Sequence, residues 1–118
     1  MERPYEKLIA WQEAFKLCLW IYSITKSFPS DEKQALVSQM RRSATSVPIN
    51  MAEGNAKRSK KDHARYLEIS LGSLEELHCE CRIAVGLKYM TQEQSEKADE
   101  WIHRVSYLIN KLRTSILS

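Results

Sequence analysis

Apolar residues recur at alternating steps of three and four along four successive stretches of the chain, and nowhere do they keep the period of two that a half-buried strand requires. That rhythm lays an apolar stripe along one side of an α-helix. It restricts the chain to an all-α fold in which each helix buries its stripe against the others. In the first stretch Leu8, Trp11, Phe15, Cys18, Tyr22 and Thr25 form the seam, with Ala14, Leu17, Ile21, Ile24 and Phe28 as a second stripe beside it. The second seam is Leu36, Met40, Ala44, Val47 and Met51, and the third is Ala64, Leu67, Leu71, Leu74, His78, Cys81 and Val85. The fourth is Ala98, Trp101, Val105, Leu108 and Leu112, widened by Ile102, Ile109 and Ile116.

Residues that start and stop helices punctuate these seams. Pro29 ends the first helix, and Ser30 is a candidate N-cap for the second, with Asp31 and Glu32 in a first turn where the helix dipole favours negative charge. Pro48 lies inside the second seam, removes a hydrogen bond to the Ala44 carbonyl and predicts a bend rather than a break, while Gly54 suits a C-terminal cap. Ser59 with Asp62 opens the third helix, Gly86 lies close to its end, and Thr91 with Gln94 forms a capping box for the fourth. The predicted helices span 8–28, 31–54, 60–87 and 92–117. Their short connections imply one domain, 1–118, folded as an antiparallel up-down-up-down four-helix bundle.

The first helix is apolar round more than half its circumference, which exceeds what one bundle core needs. Leu19 and Trp20 lie off both stripes, Trp20 sharing its face with Glu13, Lys16, Ser23 and Ser27. Self-association through Leu19, Trp20 and Ile24 is one explanation; a Trp lying flat over neighbouring aliphatic stems of a monomer is the other. On the second helix Gln39, Ser43, Ser46, Asn50 and Glu53 make a continuous polar stripe, and the third carries Ser70, Gly72 and Ser73 at its middle. Small residues there permit close approach of two backbones, with Ser hydroxyls taking hydrogen bonds from the amides of Gln39 and Asn50. The stripe reads as a helix-packing network (Gln39, Ser46, Asn50, Glu53, Ser70, Ser73) or as a ligand site.

Charge is distributed unevenly. Residues 41–65 hold seven basic side chains, Arg41, Arg42, Lys57, Arg58, Lys60, Lys61 and Arg65, against Glu53 and Asp62, a net of +5 within a chain whose total is +3. A local basic segment in an otherwise mildly acidic molecule fits a surface that meets a polyanion, or a solvated edge rich in Lys. Export and membrane classes are excluded: the longest apolar run, Leu17 to Tyr22, is about a third of a bilayer span. Glu2, Arg3, Glu6 and Lys7 precede no signal core, and three unevenly placed cysteines fit a reducing cytoplasm better than a secreted framework. Cys79 and Cys81 point to nearly opposite sides of a helix, so they cannot share a metal; His78 and Cys81 read as core packing, and His63 and His103 join no constellation. No phosphate loop, HExxH or nucleophile elbow is present, so the chain reads as a non-enzyme without metal or cofactor.

The run from Gln39 to Gly54, QMRRSATSVPINMAEG, resembles the signature of the four-helix-bundle proteins first described from intervening sequences in bacterial large-subunit ribosomal RNA genes. Trp11-Gln12-Glu13-Ala14 with Phe28-Pro29 resembles that family's first helix, and Tyr66 to Leu77 resembles its third. The family also includes the accessory variability determinant proteins of diversity-generating retroelements. The resemblance implies a homopentameric, ring-like assembly. In the retroelement branch it further implies binding of template RNA or complementary DNA and association with a reverse transcriptase. Five copies carry a formal +15, a strong, salt-sensitive attraction for phosphate. With only Tyr66 near the basic segment, backbone binding is expected rather than base readout. For Arg41 and Arg42 the competing expectation is ion pairing with Glu residues of the third helix. Two functions stand open: a nucleic-acid-binding accessory of a reverse transcriptase, and a structural or protein-interaction oligomer with no direct nucleic-acid role.

Overall fold

The computed structural model describes residues 1–118, and every long element in it is helical: α1 (Ile9–Thr25), α2 (Leu36–Asn55), α3 (Lys60–Gly86) and α4 (Gln92–Leu117). Short 3-10 turns at Pro4–Lys7 and Ser30–Glu32 precede α1 and α2. The helices pack as α1 on α2, α2 on α3, α3 on α4 and α1 on α4, within an envelope of 43 × 25 × 22 Å. Their shared core holds 22 buried side chains, among them the whole predicted seam of α2: Leu36, Met40, Ala44, Val47 and Met51.

The choice of inward face on α1 differs from the first seam. Ala14, Leu17 and Ile21 of the second stripe are buried together with Ala10 and with Cys18 and Thr25 of the first, so the core-facing side straddles the two, whereas Phe15 and Tyr22 of the first remain 42% and 38% exposed. Two small residues, Ala10 and Ala14, let this face sit close to its neighbours, and the aromatics of the first stripe fan out along its flank. There Tyr5, Trp11 and Phe15 form a run of ring contacts, each with centroids 5.1 Å apart. On α3 the seam also shifts: Leu71, His78 and Val85 are only partly buried, while Ser70, Ser73, Leu77, Glu80 and Ala84 are buried. On α4, Ser95, Ala98, Ile102, Val105 and Ile109 are buried, and Trp101, Leu108, Leu112 and Ile116 pack at the margin.

Both bounds of the α1–α2 connection differ from expectation. α1 stops at Thr25, whose hydroxyl donates to the Ile21 carbonyl at 2.7 Å, and Phe28 turns back into the core against Tyr89, with ring centroids 5.5 Å apart. Ser30 does not cap α2. It opens the 3-10 turn after Pro29, and α2 begins six residues later, beyond Ala35 at φ −121°, ψ −104°, with no side-chain cap. Glu32 explains the delay, because its carboxylate is held by the Tyr89 hydroxyl at 2.8 Å and so fixes the turn against the α3–α4 connection. α2 then runs unbroken through Pro48.

Gly54 is not a cap either. It lies within α2, ahead of the C-cap Ala56, and a Cβ there would come within 2.7 Å of the Tyr66 Cβ and 3.2 Å of the His63 carbonyl. Its role is steric, because only a residue without a side chain lets α2 and α3 approach this closely. The other helix starts match the sequence: Ser59 Oγ accepts from the Asp62 amide at 3.1 Å, and Thr91 and Gln94 exchange two 3.0 Å bonds. α3 ends in a Schellman motif. The Tyr89 amide donates to the Ala84 carbonyl at 2.8 Å and the Lys88 amide to Val85 at 2.9 Å, so the left-handed residue is Lys88 at φ 66° and not Gly86.

Candidate nucleic-acid interface

The basic segment that is continuous in sequence is divided in space by the length of α2. Arg41 and Arg42 occupy its second turn, whereas Lys57, Arg58, Lys60, Lys61 and Arg65 lie on the α2–α3 connection and the first turns of α3. At 1.5 Å per residue the two groups stand roughly 20 Å apart along the helix. All five residues of the second group are exposed. Lys57 and Arg65 flank the Tyr66 ring, their charges 5.2 and 5.4 Å from its centroid, so this partly buried aromatic is already occupied by cations.

None of the seven basic residues has a carboxylate within 4 Å. The ion pairs of the molecule lie elsewhere: Lys16 and Arg104 with Glu13, Arg82 and His78 with Asp99, and Arg113 with Glu68. Arg41 instead closes the end of α1, its Nε donating to Thr25 Oγ1 at 3.0 Å and an Nη to the Tyr22 carbonyl at 3.3 Å, with the guanidinium 4.6 Å above the Tyr22 ring. Arg42 is exposed and pairs with no Glu of α3, though its charge is felt by Glu80.

The polar stripe of α2 faces α3 only in part. Asn50 Nδ2 donates at 2.9 Å to both the carbonyl and hydroxyl of Ser46, four residues back on its own helix and not on α3. Ser46 and Ser73 hydroxyls meet at 2.7 Å, and Ser73 donates to the Ile69 carbonyl at 3.2 Å. Since a hydroxyl has one proton, Ser73 spends its own on Ile69, and Ser46 must be the donor between the two. Ser70 bonds the Val47 carbonyl at 2.9 Å. Gln39 and Glu53, placed in the network by their spacing, are exposed at the rim, and Ser43 joins instead by donating to Glu80 Oε2 at 3.2 Å. Glu80 is buried, its other oxygen has no partner, and burial pushes its carboxyl above the ordinary range.

The interface residues inferred for α1 separate as well. Leu19 is 54% exposed, and Ile24 packs at the core margin. Trp20 is half-buried against Trp101 of α4, ring centroids 5.8 Å apart, with the Lys97 ammonium over both rings. This gives Trp20 a partner within the chain.

The family model of the 23S rRNA-intervening sequence proteins matches residues 6–111. The chain belongs to this family. Among solved structures, a protein of unknown function of the S23 ribosomal protein family from Bacteroides thetaiotaomicron superposes with a TM-score of 0.82 at 20% identity, covering 90% of this chain and 96% of that one. At that identity the likeness concerns the fold. No curated protein matches the chain at a significant level.

The thiols and imidazoles of this family member divide between the interior and the surface: Cys18 and Cys81 are buried and His63 partly so, whereas Cys79 and His103 are exposed. Cys81 is fully buried and its thiol is pushed up to about 12, chiefly by burial; Cys18 is raised for the same reason, and Cys79 is exposed. Burial beside Gly54 lowers His63 and so favours its neutral form. His78 is not in the core as its seam position predicted. It is partly exposed, 3.3 Å from Asp99, because the α3 seam has rotated toward Leu77. No helix is long and apolar enough to cross a membrane. Two basic residues were missed in the sequence, Lys26 and Lys33, which lie on the α1–α2 connection and line a groove with Arg41 and Arg42. A charge count confined to 41–65 leaves them out.

Proposed function

We propose that the chain is a non-catalytic accessory protein that binds nucleic acid by its phosphate backbone on the α2–α3 connection. The observation that carries this reading is the group Lys57, Arg58, Lys60, Lys61 and Arg65, five exposed cations within nine residues and none with a carboxylate partner. Cations left unpaired in a molecule that pairs Arg82, Arg104 and Arg113 keep their full attraction for a polyanion. With Tyr66 already covered by cations, the mode is shape-tolerant backbone contact rather than base stacking.

The order of helix contacts supports an antiparallel up-down-up-down bundle, and the exposed Phe15, Leu19 and Tyr22 on one side of α1 support assembly of such bundles into a ring-like homopentamer. In that form, in a reducing cytoplasm, the protein holds template RNA or complementary DNA for a reverse transcriptase of the retroelement type. The test is fluorescence anisotropy of a structured RNA over a salt series, with wild type against Lys57, Arg58, Lys60 and Lys61 all changed to Ala, and light scattering on both. The expected result is binding that weakens with salt at about 0.7 to 0.9 in log–log slope per phosphate contacted, with a shallower slope in the variant at unchanged mass. No binding by wild type at low salt overturns the reading in favour of a structural or protein-interaction oligomer.

A further inference from the structure

At the other end of α2 lies a groove that the surface just described does not include. It has a volume of about 750 Å³, within the range of small-molecule sites, and is lined by eleven residues between the end of α1 and the first turns of α2. Four of these are cationic, Lys26, Lys33, Arg41 and Arg42, and none is acidic. The acid closest in sequence to the groove's α2 wall, Glu32, is engaged by the Tyr89 hydroxyl on one oxygen and approaches the Leu36 amide with the other at 3.5 Å. Arg41 is held in one conformation by Thr25, the Tyr22 carbonyl and the Tyr22 ring, so little freedom is lost when it meets a ligand. Two of its five N–H donors are used there, which leaves three.

We propose that this groove is a second anion site, which takes a ligand carrying two or more adjacent phosphates. A monoanion would leave most of the four charges of this open groove uncompensated, whereas a diphosphate or triphosphate matches them, and the Arg forks suit phosphate oxygens. Two sources present that chemistry: a free nucleoside polyphosphate, and the polyphosphorylated 5′ end of an RNA. The site is independent of the α2–α3 surface, since Arg42 stands roughly 20 Å along α2 from Asn55, where the connection that carries Lys57 begins.

The experiment is calorimetric titration of the full chain with inorganic tripolyphosphate, orthophosphate and adenosine triphosphate, followed by anisotropy of one short RNA bearing a 5′-triphosphate or a 5′-hydroxyl. Wild type is compared with Lys26→Ala/Lys33→Ala, which leaves Arg41 and its contacts intact, with that pair plus Arg42→Ala, and with the quadruple Ala variant of the α2–α3 connection. Circular dichroism of each variant verifies its helix content. Tripolyphosphate binding tenfold or more tighter than orthophosphate, weakened at least tenfold in both groove variants and unchanged in the quadruple variant, is the expected result. A preference for the triphosphate RNA that disappears in the groove variants identifies the RNA end as the source; equal binding of both RNAs with retained nucleotide binding identifies the free nucleotide. Equal affinity for orthophosphate and tripolyphosphate, or tripolyphosphate binding that survives in the folded groove variants, overturns the proposal whatever the quadruple variant does to RNA binding.

Discussion

The α2–α3 and α1–α4 contacts hold the same bundle by different means. Between α2 and α3 the backbones close in over Gly54, where a Cβ would come within 2.7 Å of the Tyr66 Cβ, and farther along the pair is bridged by hydroxyls, Ser46 to Ser73 and Ser70 to the Val47 carbonyl; Gly72 on α3 faces open space. Between α1 and α4 the contact is sparser and made by large side chains: Trp20 on Trp101 under Lys97, and Arg104 paired with Glu13 at 3.1 Å along the rim. A close, hydrogen-bonded interface admits one register, because a slip leaves donors and acceptors unpaired. At the α1–α4 contact the apolar attraction of the rings is non-directional and the Arg104–Glu13 bond is exposed, so a small displacement breaks no buried hydrogen bond between the two helices. The strict register belongs to the helix pair whose connection carries the basic surface.

Gly54→Val is the most damaging way to break the contrast. It forces side-chain atoms into the Tyr66 Cβ and the His63 backbone, and a loss of about 3 kcal/mol in urea unfolding is expected. Trp20→Ala opens the looser interface and is expected to lose about 2 kcal/mol, because the ring is only half-buried. The Ser46→Ala and Ser73→Ala double-mutant cycle is expected to show a coupling of about 1 kcal/mol; additive single effects would remove the hydroxyl relay from the account of register.

Glu80→Gln gives the smallest effect, and its sign depends on pH. The folded state holds the Glu80 proton more tightly than the unfolded chain does. Wild-type stability from this group therefore falls as pH rises through the ordinary carboxylate range toward the raised folded value. Gln has no such titration, so the variant gains in Tm relative to wild type near neutral pH, and the gain shrinks on acidification. Thermal melts at pH 4, 5.5 and 7 measure it.

The elements that signal locally were legible in the sequence. Ser59 with Asp62, and Thr91 with Gln94, announce helix starts by side-chain geometry within three residues, and the α2 seam has only one apolar side to bury. The misread features depend on distant partners. Ser30 has the chemistry of a cap, yet Glu32 is bound to Tyr89, 57 positions on, and the helix starts later. Gly54 carries the composition of a terminus, but its reason is a crossing with Tyr66. On α1 two adjoining apolar stripes left the inward face open, and the core took Ala14, Leu17 and Ile21 of one with Cys18 and Thr25 of the other. For the candidate interface, the sequence gathered seven cations into one block, and the rise of α2 separated them; Lys26 and Lys33, outside that block, were brought to Arg41 and Arg42 by the turn between helices.

The contact of Phe28 and Glu32 with Tyr89 also sets an order of events. The α1–α2 connection, which carries Phe28 in the wall of the basic groove, is pinned by a residue from the α3–α4 connection. While the ribosome has released only the first two helices, that pin does not exist, and the closure spans about half the chain before it rewards the entropy it costs. The groove is thus a late product of synthesis, and a phosphate ligand meets a finished site only on chains that have folded through residue 89.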